Sequence, residues 1–254
     1  MSFEADAAIY DRFVGRYAPR LSAALIEVTG VEPDDRVLDV GCGPGGLTRT
    51  LAARVGAENV SAVDPSTSFV AACRERVPGA DVRAAAAEAL PFGDGTFDVA
   101  LSQLVVNFMR DADAGVGEMC RVVRRGGRVA SCVWDYRDGM TMLRAFWDAA
   151  HDLAPDAPDE SVMRYANEAE LADLWRRGGL RDVETGALEV DASYDDFDDY
   201  WTPFLAGIGP SGAYAAARRS DEQEALRGAV FRRLGEPRGS LELSARAWYV
   251  RGVV

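Results

Sequence analysis

The chain has 254 residues and a formal net charge of −13, from 28 basic and 41 acidic side chains, and 48% of it is hydrophobic. That length and composition suit one α/β domain with modest insertions. The charge repels a phosphate backbone, which argues against nucleic acid as a partner. Every basic residue is Arg, so lysine Schiff bases and a P-loop lysine are absent, and one histidine, His151, leaves no multi-histidine metal site.

The chain opens on a helical segment, expected over residues 1–30, with no basic, apolar leader pattern. No apolar run is long enough to span a bilayer, and a cytoplasmic location without membrane insertion is expected. Val-rich runs then recur at Val37–Val40, 60–63, 82–85, 99–101 and 129–134, with amphipathic segments at Gly46–Val55, 66–77 and 114–123 between them. Strand–helix–strand alternation of this kind implies crossover connections and a doubly wound, mostly parallel sheet covered on both faces. Four scattered cysteines, Cys42, Cys73, Cys120 and Cys132, form no C-x-x-C pair and read as small buried side chains.

The first strand runs into Gly41-Cys42-Gly43-Pro44-Gly45-Gly46, directly before a helix. Glycines belong where the backbone needs positive φ or must approach a ligand closely. The spacing also satisfies the dinucleotide pattern G-x-G-x-x-G, so a nicotinamide-dependent oxidoreductase is one reading. Asp39 weighs against it, because a carboxylate beside the loop repels a pyrophosphate and attracts a cationic centre. S-adenosylmethionine, with a sulfonium and no phosphate, is such a ligand. Asp64, followed by Pro65 at the end of the second Val-rich run, is placed to accept both ribose hydroxyls of either cofactor.

Together these residues resemble the class I S-adenosylmethionine-dependent methyltransferases, in particular the ubiquinone/menaquinone-biosynthesis-like group that acts on small molecules. Asp39-x-Gly41-x-Gly43-x-Gly45 matches the first motif of that family, Asp64 its ribose-binding acid, and the block from Ala87-Glu88 to Phe97-Asp98 its fourth-strand loop. Arg121 to Gly127 is similar to the turn before its fifth strand, where the family has Pro in place of Arg125. The resemblance spans about residues 36–135. It implies a seven-stranded Rossmann-like sheet over one domain, 1–254. A cap (1–30), two lid insertions (138–176 and 194–236) and a last strand (240–250) accompany the core. It implies Tyr17, Asp39, Gly41, Cys42, Gly43, Gly45, Asp64, Pro65, Ala86, Ala87, Glu88 and Gln103 at the cofactor. Besides Arg125, a second position departs from the family: Ala86 stands where an Asp takes the adenine amino group, a loss of about 0.5–1.5 kcal/mol for one hydrogen bond.

The acceptor side carries no motif. Asn107, Trp134, Tyr136, Trp147 and Trp201 fall where an acceptor pocket is expected, and packing explains the aromatics equally well. Displacement at a sulfonium needs no protonated leaving group, so placement dominates and the sequence displays no catalytic residue. His151 is the one candidate base, though a surface helix position accounts for it as well. The expected activity is methyl transfer to a small molecule. A cofactor-binding protein of the same fold without turnover is the alternative, and the oxidoreductase the weaker one.

Overall fold

The computed structural model describes residues 7–254. In chain order the helices and strands are α1 (Ala7–Arg12), α2 (Ala18–Thr29), β1 (Val37–Val40), α3 (Gly46–Val55), β2 (Val60–Asp64), α4 (Thr67–Arg76) and β3 (Asp81–Ala84). There follow β4 (Phe97–Gln103), α5 (Ala112–Val122), β5 (Val123–Trp134), α6 (Thr141–Leu153), α7 (Glu168–Arg177) and β6 (Arg181–Tyr194). The last are α8 (Phe197–Trp201), α9 (Gly209–Ala216), α10 (Ser220–Arg233) and β7 (Leu241–Val253).

The sheet has seven strands in the order β3-β2-β1-β4-β5-β7-β6. β1 pairs in parallel with β2 on one side and β4 on the other, and β2/β3 and β4/β5 are parallel too. β7 runs antiparallel to β5 and is an interior strand, with β6 outside it. All four residues of β1 are buried, as a strand covered on both faces requires. Strand order reverses beside β1, so the crevice of this sheet opens at the carboxyl ends of β1 and β4. Side-chain caps start the following helices: the Ser66 hydroxyl accepts from Phe69 N–H for α4, and the Asp111 carboxylate from Ala114 N–H for α5.

The chain divides into two compact units. The sheet unit holds Ala18–Trp134, Arg164–Leu188 and Ala247–Val254, and the helical unit the described residues up to Tyr17, Asp135–Met163 and Glu189–Arg246. Two expected boundaries move as a result. Of the expected N-terminal cap, residues 1–6 lie outside the described residues, α2 folds with the sheet through buried Leu21 and Leu25, and the described residues before it join the helical unit. Residues 164–176, expected in the first lid, instead bring α7 into the sheet unit. Its Trp175 is fully buried and donates its indole N–H to the Val129 carbonyl of β5 at 3.0 Å. The apolar face Leu171, Leu174 and Trp175 makes α7 a sheet-covering helix.

Candidate functional site

The loop after β1 is built from three glycines at φ +80° (Gly41), +51° (Gly43) and +95° (Gly45), a region where side chains with a Cβ are strained. Gly41 and Cys42 both donate their N–H to the Val63 carbonyl of β2, at 2.8 and 2.9 Å, which turns the loop over the neighbouring strand. A Cβ on Gly41 would overlap the Val105 side chain, whereas one on Gly43 would meet nothing within 4 Å. The loop is therefore packed on one side and open at Gly43. Gly45 precedes α3 with no side-chain cap, and Cys42 is buried beneath the loop.

Two carboxylates close the floor of the loop. Asp39 is fully buried; its Oδ2 accepts the Thr48 hydroxyl at 2.6 Å and its Oδ1 has no hydrogen-bond partner among the described residues. Burial pushes the Asp39 carboxyl up to about 7; the Thr48 hydrogen bond opposes this and the nearby Asp64 charge adds to it. Asp64 is 7% exposed, and its Oδ2 and Oδ1 accept the N–H groups of Gly43 at 2.9 Å and Ser66 at 2.8 Å. Burial raises its carboxyl above the ordinary value. Each oxygen keeps a second lone-pair direction, enough for a pair of ligand hydroxyls. Neither acid makes an ion pair among the described residues.

These features fit S-adenosylmethionine. The orphaned Asp39 oxygen and its uncompensated charge suit a cationic ligand, the open face at Gly43 admits one, and Asp64 offers a bidentate acceptor. A pyrophosphate would meet two acids where it needs donors.

The remaining expected positions divide between the units. In the sheet unit, Pro65 and Ala86 are exposed, Ala87 is 7% exposed, and Glu88 is half-buried with Oε1 accepting from the N–H of Arg110 at 2.9 Å and of Asp111 at 3.3 Å. Glu88 thus braces the start of α5. Gln103 ends β4 and its amide oxygen accepts the Ser22 hydroxyl at 3.0 Å. Asn107 lies buried in a short 3-10 turn, Val106–Phe108, and Trp134 is buried at the end of β5.

In the helical unit, Tyr17 is fully buried, 3.3 Å from the Tyr194 hydroxyl, with its phenol pushed up to about 12 by burial. Tyr136 and Trp147 are buried, and Trp201 stacks near Phe146 and Phe204. His151 is tied locally: Nε2 lies 3.0 Å from the Ala157 carbonyl and Nδ1 3.8 Å from Asp159.

Three residues of the site were not singled out from sequence. Thr48 reads as an ordinary helix residue, and only its contact with Asp39 reveals it. Val105 fixes the glycine loop by bulk. Leu104 follows Gln103 at φ +64°, a conformation that costs a bulky side chain of order 1–3 kcal/mol and that clusters at ligand sites.

Comparison with known proteins agrees with this geometry. Residues 38–131 match a family model described as a methyltransferase domain. An uncharacterized protein of Mycobacterium tuberculosis is 30% identical over 215 residues, 80% of this chain and 74% of the relative. A malonyl-[acyl-carrier protein] O-methyltransferase of Geobacter sulfurreducens is 30% identical over 190 residues, 72% of this chain and 70% of the relative. Among solved structures, a candidate type II methyltransferase of Anaeromyxobacter dehalogenans superposes with a TM-score of 0.65 at 24% identity, covering 94% of this chain and 97% of that one, a likeness of fold. The chain belongs to the class I S-adenosylmethionine-dependent methyltransferases, and S-adenosylmethionine is its cofactor. The family match sets the oxidoreductase reading aside.

Proposed function

We propose that the protein transfers the methyl group of S-adenosylmethionine to a small-molecule acceptor by in-line displacement. The carrying observation is the Asp64 carboxylate, fixed through Gly43 and Ser66 N–H groups beside the orphaned oxygen of buried Asp39. In this reading Gly41, Cys42, Gly43 and Gly45 let the backbone approach the cofactor, and Asp39 answers its positive charge. Asp64 takes the ribose, with Pro65 beside it, and Ala86 and Ala87 line the adenine. Glu88 holds that loop to α5, and Gln103 is fixed by Ser22 at the crevice. Tyr17 has its role within the helical unit, through Tyr194. Asn107, Trp134, Tyr136, Trp147 and Trp201 remain acceptor-side candidates.

The bound cofactor supplies an electrophilic methyl carbon on a sulfonium. The protein then has to orient the acceptor's nucleophile within about 3 Å and keep water out, which side chains do without forming a bond to the substrate. The local bonds of His151 to Ala157 and towards Asp159 favour a structural place for it over that of a base. A net charge of −13 supports a small neutral or cationic acceptor over nucleic acid. Among the described residues no helix is long and apolar enough to cross a membrane.

The test is transfer from methyl-labelled S-adenosylmethionine in a cell extract. Label in the low-mass fraction, with wild type and not with Asp64→Ala, supports the reading. Label confined to macromolecules contradicts it.

A further inference from the structure

The helical unit buries a carboxylate that nothing in the preceding account uses. Glu160 opens a short 3-10 turn, Glu160–Val162, and is 5% exposed. The turn is aimed by its neighbour: Asp159 accepts Ser161 N–H at 2.7 Å and binds Arg144 at 2.8 Å, so Glu160 faces inward while Val162 is 83% exposed. Inside, Glu160 Oε2 accepts the indole N–H of Trp147 at 2.7 Å.

A buried carboxylate is costly unless it is paired; the Arg144 charge favours the ionised form of Glu160, but Glu160 makes no ion pair among the described residues. Arg144 is divided between Asp148 and Asp159, and Arg233 between Asp148 and Asp152. Arg218 lies 4.5 Å over the Tyr214 ring, and no ion pair to Glu160 occurs among the described residues.

A second buried group stands beside it. Ser211, in the first turn of α9, is 1% exposed; burial raises the Glu160 carboxyl, and hydrogen bonding from Trp147 and from the Ser211 hydroxyl opposes it. That contact is a loose one, so the Ser211 oxygen keeps its lone pairs free. Aromatic rings complete the surroundings: Tyr214 is 5.4 Å from Trp147 and 6.2 Å from Phe146, centroid to centroid.

We propose that Glu160 and Ser211, with the rings of Trp147 and Tyr214, form a subsite for an organic ammonium group, the charged end of the substrate this unit receives. An ammonium offers three donors; the carboxylate and the lone pairs of the Ser211 hydroxyl accept two, and the aromatic faces attract the cation in a site shielded from water. Trp147 orients the carboxylate through its bond to Oε2. A neutral alcohol would hydrogen-bond here but leave the carboxylate without a counter-charge. The word substrate rests on the methyltransferase reading above; the ammonium subsite itself does not.

The test is calorimetric titration of the full chain with benzylammonium and 2-phenylethylammonium, with benzyl alcohol as the neutral comparison and S-adenosylhomocysteine run in parallel. Saturable ammonium binding is expected, at least tenfold tighter than the alcohol. Glu160→Gln, which keeps the shape and an acceptor for Trp147, should abolish that preference while still binding S-adenosylhomocysteine. Ser211→Ala, a milder change, should reduce it and guards against a folding defect in the first variant. Absence of saturable ammonium binding by the wild type, or an unchanged preference in both variants, overturns the subsite. Failure of S-adenosylhomocysteine to bind bears only on the methyltransferase reading.

Discussion

The Thr48 hydroxyl donates to Asp39 at 2.6 Å, and both side chains are fully buried. This bond joins the first turns of α3 to the end of β1, across the glycine loop that separates them. The Thr48 backbone N–H also favours the ionised carboxylate, so both donors of Thr48 act on Asp39 from the same helix turn. Thr48→Val keeps the volume and removes the hydroxyl donor, leaving the buried acid only the backbone N–H of that residue. A loss of about 1–3 kcal/mol is expected. Urea unfolding would measure it, and an unchanged midpoint would show that Asp39 does not depend on Thr48.

Asp39 also sets a pH dependence. Its folded-state carboxyl lies at about 7, above an unfolded value of 3.8, and Glu160 is likewise raised, from 4.5 to about 7. Between those limits the folded state binds more protons than the unfolded one. Stability from these two groups is therefore present below about pH 4 and lost as pH rises towards 7. Each group contributes a slope of at most about 1.4 kcal/mol per pH unit. Asp98 and Asp199 act in the opposite sense: hydrogen bonds to Arg36 N–H and Arg124 lower the first, and Arg16 and Arg12 lower the second, so their contribution is lost in acid. Urea midpoints from pH 4.5 to 8 should fall less steeply for Asp39→Asn than for wild type; identical slopes would remove Asp39 from the explanation.

The glycine loop separates packing from ligand access. Gly41→Ala forces a Cβ into Val105 at φ +80° and should destabilise the fold strongly. Gly43→Ala meets no neighbour, so its stability cost is that of the left-handed backbone, about 1–2 kcal/mol. Its methyl group would, however, occupy the open face of the loop. A tenfold or greater loss of S-adenosylhomocysteine affinity with modest thermal destabilisation is expected for Gly43→Ala. Full affinity in that variant would mean the ligand does not approach Gly43.

How much of this was readable in advance depends on where the information lies along the chain. The sheet core was legible because Val-rich strands, the glycine loop and Asp64 are local patterns, each tied to a backbone requirement. Thr48 was not, because a threonine in a helix looks the same whether or not it faces an acid from the preceding strand. The place of α7 was not legible either: it lies within the expected 138–176 lid without a break in composition, and only Trp175 reaching Val129 shows that the helix covers the sheet. Glu160 falls within the first lid, 138–176, in an acidic, Pro-containing stretch where no apolar spacing marks it for burial. Its burial comes from Asp159 and Arg144 turning it inward, a tertiary effect with no periodic signature.

Ala86 offers a gain-of-function test. It is exposed, so a larger polar side chain has room there, and the family places Asp at this position. Ala86→Asp should tighten S-adenosylhomocysteine binding by about 0.5–1.5 kcal/mol, one hydrogen bond to the adenine amino group. Unchanged or weaker binding would indicate that adenine does not lie against Ala86.

Asp64 carries the account of the cofactor site, and calorimetric titration with S-adenosylhomocysteine tests it most directly, with wild type, Asp64→Ala and an NADH control side by side. Wild type should bind one equivalent of S-adenosylhomocysteine and no NADH, and Asp64→Ala should lose that binding at least a hundredfold while remaining folded. Undiminished affinity in a folded Asp64→Ala protein would contradict the assignment of the ribose to Asp64, and binding of NADH alone would contradict the site as a whole.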